Sequence, residues 1–314
     1  MTCRILLATD GAPQSLGAVR VAAALAERDG CEVEVLTVLE PSAAYAAGYA
    51  FAVPVAVAGP DGIRADELRG AAQAQLRQVG GAAAGWPVRV EPGAPARTVA
   101  ACAEERGAAA IVLGLGRHGA VDRWLGRETA LDVVRLAHVP VLAVPPEADG
   151  LPRSALAATD FSPFSLDAAG RAAELLAPDG ELHLAHVGME APREGAGGAE
   201  WLRTYEAGAR ERLEQTARGL AGARQVRVRP HLLRGEPAAA LLSFAERTGV
   251  EMLASGSHGY GFLTRLLMGS VSTRLLRGAR CTVLVAPPQG VPAAPAEPPE
   301  HAAAPDADRG PAVR

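Results

Sequence analysis

Val250-Glu251-Met252-Leu253-Ala254-Ser255-Gly256-Ser257-His258-Gly259 is a short apolar run that ends in glycines, and nine residues later the chain reads Gly269-Ser270-Val271-Ser272. The run has the length and apolarity of a parallel strand buried on both faces, and the glycines mark where it stops and turns. Beyond them Leu263, Leu266, Leu267, Val271, Leu275 and Leu276 recur at three- and four-residue steps, which predicts a helix over Phe262 to Arg277 with one apolar face. A glycine inside that pattern costs about 1 kcal/mol relative to alanine, so we expect a break at Gly269 and a fresh helix start at Ser270. Ser270 and Ser272 would then offer hydroxyls beside the free N–H groups of a helix N-terminus, where the partial positive charge favours a phosphate. The stretch reads as a phosphate-binding loop.

Outward from this loop, strand-like and helix-like segments alternate along the chain. Arg4–Thr9 reads as a strand ending in Asp10-Gly11, Pro13–Glu27 as a helix and Glu32–Leu39 as a second strand. Pro41–Gly62, rich in alanine, glycine and proline, reads as a long loop or lid. Then come a helix over Asp66–Val79, a strand at Pro87–Val90, a helix at Pro95–Arg106, a strand at Ala109–Leu113, a helix at Trp124–Leu136 and a fifth strand at Val139–Val144. The order begins again after Arg153: strand Ser154–Thr159, helix Phe164–Leu176, strand Glu181–Val187, loop Gly188–Gly198, helix Ala199–Leu220, strand Gln225–Leu233 and helix Pro237–Arg247. The glycine stretch and a last strand at Cys281–Ala286 close it.

The repetition is visible in the residues. Leu7-Ala8-Thr9-Asp10 answers Ala157-Ala158-Thr159-Asp160, Gly116-Arg117-His118-Gly119 answers Gly256-Ser257-His258-Gly259, and Val139-Pro140-Val141-Leu142 answers Cys281-Thr282-Val283-Leu284. A period of about 145 residues means duplicated domains and not a solenoid. We expect domains over residues 1–146 and 152–287, with a linker from Pro145 to Pro152. Residues 288–314, mostly alanine, proline and acids, read as a disordered tail. Alternating strands and helices imply an α/β protein of two tandem doubly wound domains, each a parallel sheet with helices on both faces. Ligands on such sheets bind beyond the carboxyl ends of the strands, so Asp160 and Gly256 face one crevice if their strands are neighbours.

Composition narrows the chemistry. The 314 residues are 49% hydrophobic, enough for two cores, and the net charge of −4 gives no reason to propose a nucleic-acid partner. All 31 basic residues are arginine; with no lysine the chain has no Walker-type lysine, no kinase lysine and no Schiff-base nucleophile. Any phosphate bound here is held by backbone N–H groups, hydroxyls, arginine or a metal. Cys3, Cys31, Cys102 and Cys281 form no CxxC or Cys/His cluster, and read as isolated small core hydrophobes. With no signal-peptide layout and no run long enough to span a membrane, we expect a cytoplasmic protein with no membrane partner.

The glycine pattern resembles the signature of the universal stress protein family: glycine, two residues, glycine, nine residues, glycine, then serine or threonine. Gly256, Gly259, Gly269 and Ser270 fit it at each position, with Asp160 and the strand Val283-Leu284-Val285 in support, and the resemblance spans about residues 1–286 as a tandem form. It implies five-stranded parallel sheets in the order 3-2-1-4-5, of the adenine nucleotide alpha hydrolase-like type. It also implies an adenine nucleotide ligand, ATP, with or without Mg2+. Carried over residue by residue, Ala158 and Asp160 would meet the adenosine end and Val187 would pack on the base. Gly256 would let the ribose approach, and Gly259, Gly269, Ser270, Val271 and Ser272 would hold the phosphates. Three or four hydrogen bonds to a charged partner, at about 1.5–3 kcal/mol each less the costs of binding, are compatible with micromolar affinity. The fifth strands are expected to pair between domains as an internal pseudo-dimer, and a homodimer or an unknown protein partner is also compatible with the resemblance.

The first domain departs from the pattern. Only six residues separate Gly119 from Gly126, and Arg127-Glu128-Thr129 stands where Gly-Ser-Val is wanted, so we expect no tight ATP binding there unless Arg127 compensates. Gly114-Leu115-Gly116-Arg117-His118-Gly119 spells a dinucleotide fingerprint, but it follows a fourth strand and not a first. Asp10 and Asp160 either cap the helices after them or meet a ligand. His183 and His186, three apart on a strand, face opposite sides and form no joint metal site, while His118, His138, His231 and His301 have no partner legible in the sequence. The helix Ala199–Leu220 reads as a solvated face. No catalytic residue and no metal ligand set is assigned. The reading is a nucleotide-responsive stress regulator that binds ATP in its second domain; a slow ATP hydrolase or phosphotransferase, and a scaffold that binds no nucleotide, are the alternatives.

Overall fold

A computed structural model describes residues 3–40, 60–116, 127–188, 198–224, 226–257 and 269–287. Its ten strands are β1 (Arg4–Ala8), β2 (Glu32–Leu39), β3 (Val88–Pro92), β4 (Ala110–Gly114), β5 (Val141–Val144), β6 (Ser154–Ala158), β7 (Glu181–Gly188), β8 (Arg227–Arg234), β9 (Met252–Gly256) and β10 (Thr282–Ala286). The α-helices among the described residues are α1 (Leu16–Asp29), α2 (Pro60–Val79), α3 (Pro95–Glu105), α4 (Arg127–Leu136), α5 (Pro163–Leu175), α6 (Gly198–Arg224), α7 (Pro237–Thr248) and α8 (Ser270–Gly278). The alternation read from sequence is the alternation observed. α2 starts at Pro60, earlier than the expected Asp66, because a proline at a first turn lacks only an N–H that has no partner there anyway. Residues 41–59 of the expected lid lie outside the described residues, as does the tail 288–314.

Each half has the strand order 3-2-1-4-5, and the halves join into one sheet ordered β3-β2-β1-β4-β5-β10-β9-β6-β7-β8. All pairings within a half are parallel; the join between β5 and β10 is antiparallel, with Leu284 opposite Leu142 and Val285 opposite Val141. The fifth strands do pair between the halves, as expected. Central strands such as β5 and β10 are buried at every position, which explains why they read as unbroken apolar runs: helices cover both faces.

Successive strand residues point to opposite faces and so feed two cores. Leu6, Leu36, Ile111 and Leu113 share one core with Leu253, Val283 and the inner faces of α3, α4, α7 and α8. Ile5, Leu7, Val35 and Val112 share the other with Leu142, Leu284 and the inner faces of α1, α2, α5 and α6. Both cores run without interruption from one half into the other.

One expectation is overturned. Cys3 and Cys31 are not isolated core hydrophobes but form a disulfide. β1 and β2 are parallel neighbours with Arg4 opposite Glu32, so the residues just before them lie side by side. Cys102 and Cys281 remain thiols, and burial pushes Cys281 up to about 11.

Candidate functional site

The crevice lies at the carboxyl ends of β6, β7 and β9, between the starts of α7 and α8, with a volume of about 220 Å3. β6 and β9 are adjacent, so Asp160 and Gly256 do come to one place, as the topology argument required.

The turn after β6 is held by its own side chains. Thr159 N donates to Ala185 O (2.8 Å), Phe161 N to Thr159 Oγ1 (2.9 Å) and Ser162 N to Asp160 Oδ1 (3.0 Å). Asp160 therefore fastens the turn, while the cap of α5 is Ser162, whose Oγ accepts from Ser165 N (3.2 Å). Capping thus falls to Ser162, while Asp160 holds the turn through Oδ1 and lines the crevice. Phe161 sits at φ 63°, a conformation rare outside glycine. Its ring lies 4.6 Å from that of His186, and the Arg212 guanidinium of α6 stands 4.6 Å over it.

The stretch read from sequence as a phosphate-binding loop starts from β9. After Gly256 the chain turns; Ser257 N donates to Ala286 O and Gly269 N to Ser257 O, both at 2.8 Å. α8 starts at Ser270 with Gly269 as its cap residue, the fresh helix start that the sequence predicts; the part of the expected helix before Gly269 lies outside the described residues. A Cβ on Gly269 would stand 3.3 Å from Ser257 O, so this close approach leaves little room for a side chain. Ser272 is buried, and its hydroxyl donates to Gly256 O (2.7 Å) and meets Ser255 Oγ (3.2 Å). This corrects the expectation for its side chain: Ser272 ties the helix start to the strand end, and Ser270 is the exposed hydroxyl of the pair. Gly259, with 258–268, lies outside the described residues; Ala158, Asp160, Val187, Gly256, Gly269, Ser270, Val271 and Ser272 all line the crevice.

Two contributors were not legible in the sequence. His186 Nδ1 lies 2.8 Å from Thr159 O and so donates to it; Nε2 is 2.9 Å from the Tyr205 hydroxyl of α6. Its neighbour Val187 was assigned, and the position next to an assigned strand-end residue was the available signal. Glu236, beside Pro237 on the crevice rim, caps α7 by accepting from Ala238 N (3.2 Å) and Ala239 N (2.9 Å). The hydrogen bond from Ala239 first, then the one from Ala238 and the charge of Arg274 at 2.7 Å, hold its carboxyl below the usual range. Glu236 claims α7's first turn, whereas the N-cap residue of α8 is a glycine with no capping side chain of its own.

The first half has the same turn and a different filling. Thr37 Oγ1 donates to Thr9 O at 2.8 Å, in the register position of His186. Leu36 and Leu113, both buried, occupy the positions of Ala185 and Ser255. At Asp10-Gly11 the backbone of α2 comes so close that a Cβ on Gly11 would lie 2.5 Å from Ala71 C, and φ is 71°. Buried Gln75 of α2 closes the place, its Oε1 accepting from Thr9 Oγ1 (2.6 Å) and its Nε2 donating to Ala12 O (2.6 Å). The guanidinium of Arg127, the candidate to compensate for the altered loop, reaches carbonyls of the other half.

Comparison with known proteins agrees with this architecture. The profile of the Universal stress protein family matches residues 1–145 and again 152–287. The chain belongs to the universal stress protein family. A curated relative, universal stress protein MJ0531 of Methanocaldococcus jannaschii, is 37% identical over 60 residues; the match spans 19% of this chain and 35% of that protein. A universal stress protein from Archaeoglobus fulgidus superimposes with a TM-score of 0.57 at 20% identity, over 90% of this chain and 96% of that one. The functionally unknown protein PA1789 from Pseudomonas aeruginosa does so at 0.58 and 16% identity, over 91% and 93%. At such identities the likeness speaks for the tandem fold of this universal stress protein alone. Among the described residues no helix is long and apolar enough to cross a membrane.

Proposed function

We propose that this universal stress protein binds an adenine nucleotide, ATP, in the crevice of its second half, and that it acts as a nucleotide-responsive regulator. In this reading residues 152–287 form the ligand domain and residues 1–146 a partner domain. The observation that carries it is the β9–α8 junction. A strand ends in Gly256, a helix starts at Ser270 behind an N-cap glycine that has no side chain to cap it, and Asp160 of the neighbouring strand end shares the same crevice.

The wall suits such a ligand. Ala158, Ala185, Val187 and Leu241 offer an apolar slot for a base, and the N–H groups at the start of α8 offer hydrogen bonds and positive potential to phosphates. In a chain without lysine, backbone N–H groups and hydroxyls of this kind, with arginine or a metal, are what can hold polyphosphate. Mg2+ would travel with the nucleotide: the crevice lining contributes one carboxylate, Asp160, and Mg2+ commonly relies on phosphate oxygens and water for the rest of its shell. Among the described residues holding is favoured over turnover, because both nitrogens of His186 are engaged and Asp160 gives one carboxylate oxygen to its turn.

Mass spectrometry of small molecules released from the purified, heat-denatured protein should find an adenine nucleotide. Ala185→Leu, which puts the first half's filler into the second half's slot, should abolish it with the fold retained. Retention of nucleotide by that variant would contradict the assignment of the slot.

A further inference from the structure

We propose that Arg127, the first residue of α4 in the first half, positions the phosphate-binding helix α8 of the second. The affinity of the second half for a triphosphate then depends on the first half; this rests on the nucleotide reading above. Arg127 Nη1 donates to Leu276 O (2.6 Å) and Arg277 O (2.8 Å), and Nη2 to Ala279 O (2.8 Å). The next residue, Glu128, takes Arg277 through both oxygens, from Nε at 3.2 Å and Nη2 at 3.0 Å.

These contacts fall where α8 needs them. A helix of nine residues is too short to be stable alone, and its last carbonyls have no partner within it. A planar guanidinium answers several of those carbonyls at once and places a positive charge at the negative end of the helix. α8 is about 13 Å long at 1.5 Å per residue, so a grip on its last turn fixes the direction in which its first turn points. That first turn, at Ser270, Val271 and Ser272, is the crevice wall. Arg127-Glu128-Thr129 holds the corresponding place in the first half. The residues that removed a phosphate loop from one half thus supply the clamp on the phosphate helix of the other.

Because α8 meets phosphates and not the base, loosening its far end should weaken ATP and spare adenosine. Calorimetric titration of Arg127→Ala should show ATP bound about 5- to 20-fold more weakly, the usual size of a coupling between sites, and adenosine within about twofold of the parent protein. Arg127→Lys, which keeps the charge and loses the fork, should fall between. Unchanged ATP affinity, or an equal loss for ATP and adenosine, overturns the clamp and leaves Arg127 a general structural residue. If Arg127→Ala does not fold, hydrogen exchange on the parent chain decides: ATP should slow exchange over residues 127–136, and no change there overturns the proposal. A parent chain that binds no ATP at all instead removes the nucleotide reading, and the clamp's role in it.

Discussion

Phe161 concentrates the difference between the two halves in one side chain. Glycine at the matching position lets α2 settle directly on the first turn, whereas Phe161 keeps the same left-handed backbone, at φ 63°, and interposes a ring between its turn and α6. A left-handed residue costs about 1–2 kcal/mol, yet truncating a buried phenylalanine costs about 3–5 kcal/mol. Packing wins, so Phe161→Gly should lower stability by about 1–4 kcal/mol in urea unfolding; a stabilised variant would mean the strain outweighs the ring. At this scale the sequence showed most where a residue type is repeated or required: Thr-Asp at both strand ends, Gly269 at the helix start. It concealed whatever depends on which side chains meet across strands. Cys3 and Cys31 become partners only once β1 and β2 are known to be parallel neighbours, and His186 only once its ring is seen against Thr159 and Tyr205.

Among the elements, β7 and β8 carry a second pairing that spacing could not reveal. His183 faces away from His186, as alternation demands, and its Nδ1 meets His231 Nε2 at 2.9 Å against the ring of Phe244. Burial above all depresses both imidazoles. Glu181 opposes this in each, Arg229 adds to it in each, and His183 adds to it in His231. A histidine with a lowered folded pKa contributes stability that is whole above its unfolded value of about 6.5 and is lost as pH falls below it. Two protonated rings would also set N–H against N–H. The parent chain should therefore lose more stability between pH 7.5 and pH 5.0 than His231→Gln, measured as urea midpoints; equal losses would remove the pair from the account. Among the described residues the order of strands and helices was legible from periodicity, because strands buried on both faces and one-sided helices leave unlike patterns. Boundaries were less so: α2 begins within the stretch read as a lid, since alanine, glycine and proline together do not distinguish a loop from a helix start.

Taken whole, the described residues form one ten-stranded sheet with two cores continuous across both halves, in which duplicated strand ends are filled by different side chains. The duplication was plain from the repeat, and so was the loss of the glycine loop from the first half. What became of the corresponding place in that half was not, because Leu36 and Leu113 are unremarkable core residues until the register sets them at the positions of Ala185 and Ser255, and Gln75 until its hydrogen bonds to Thr9 and Ala12 are seen. The asymmetry leads to a stoichiometry. Isothermal titration of the full chain with ATP should give one site per chain at micromolar affinity, about −8 kcal/mol; two sites per chain, or none, would contradict it.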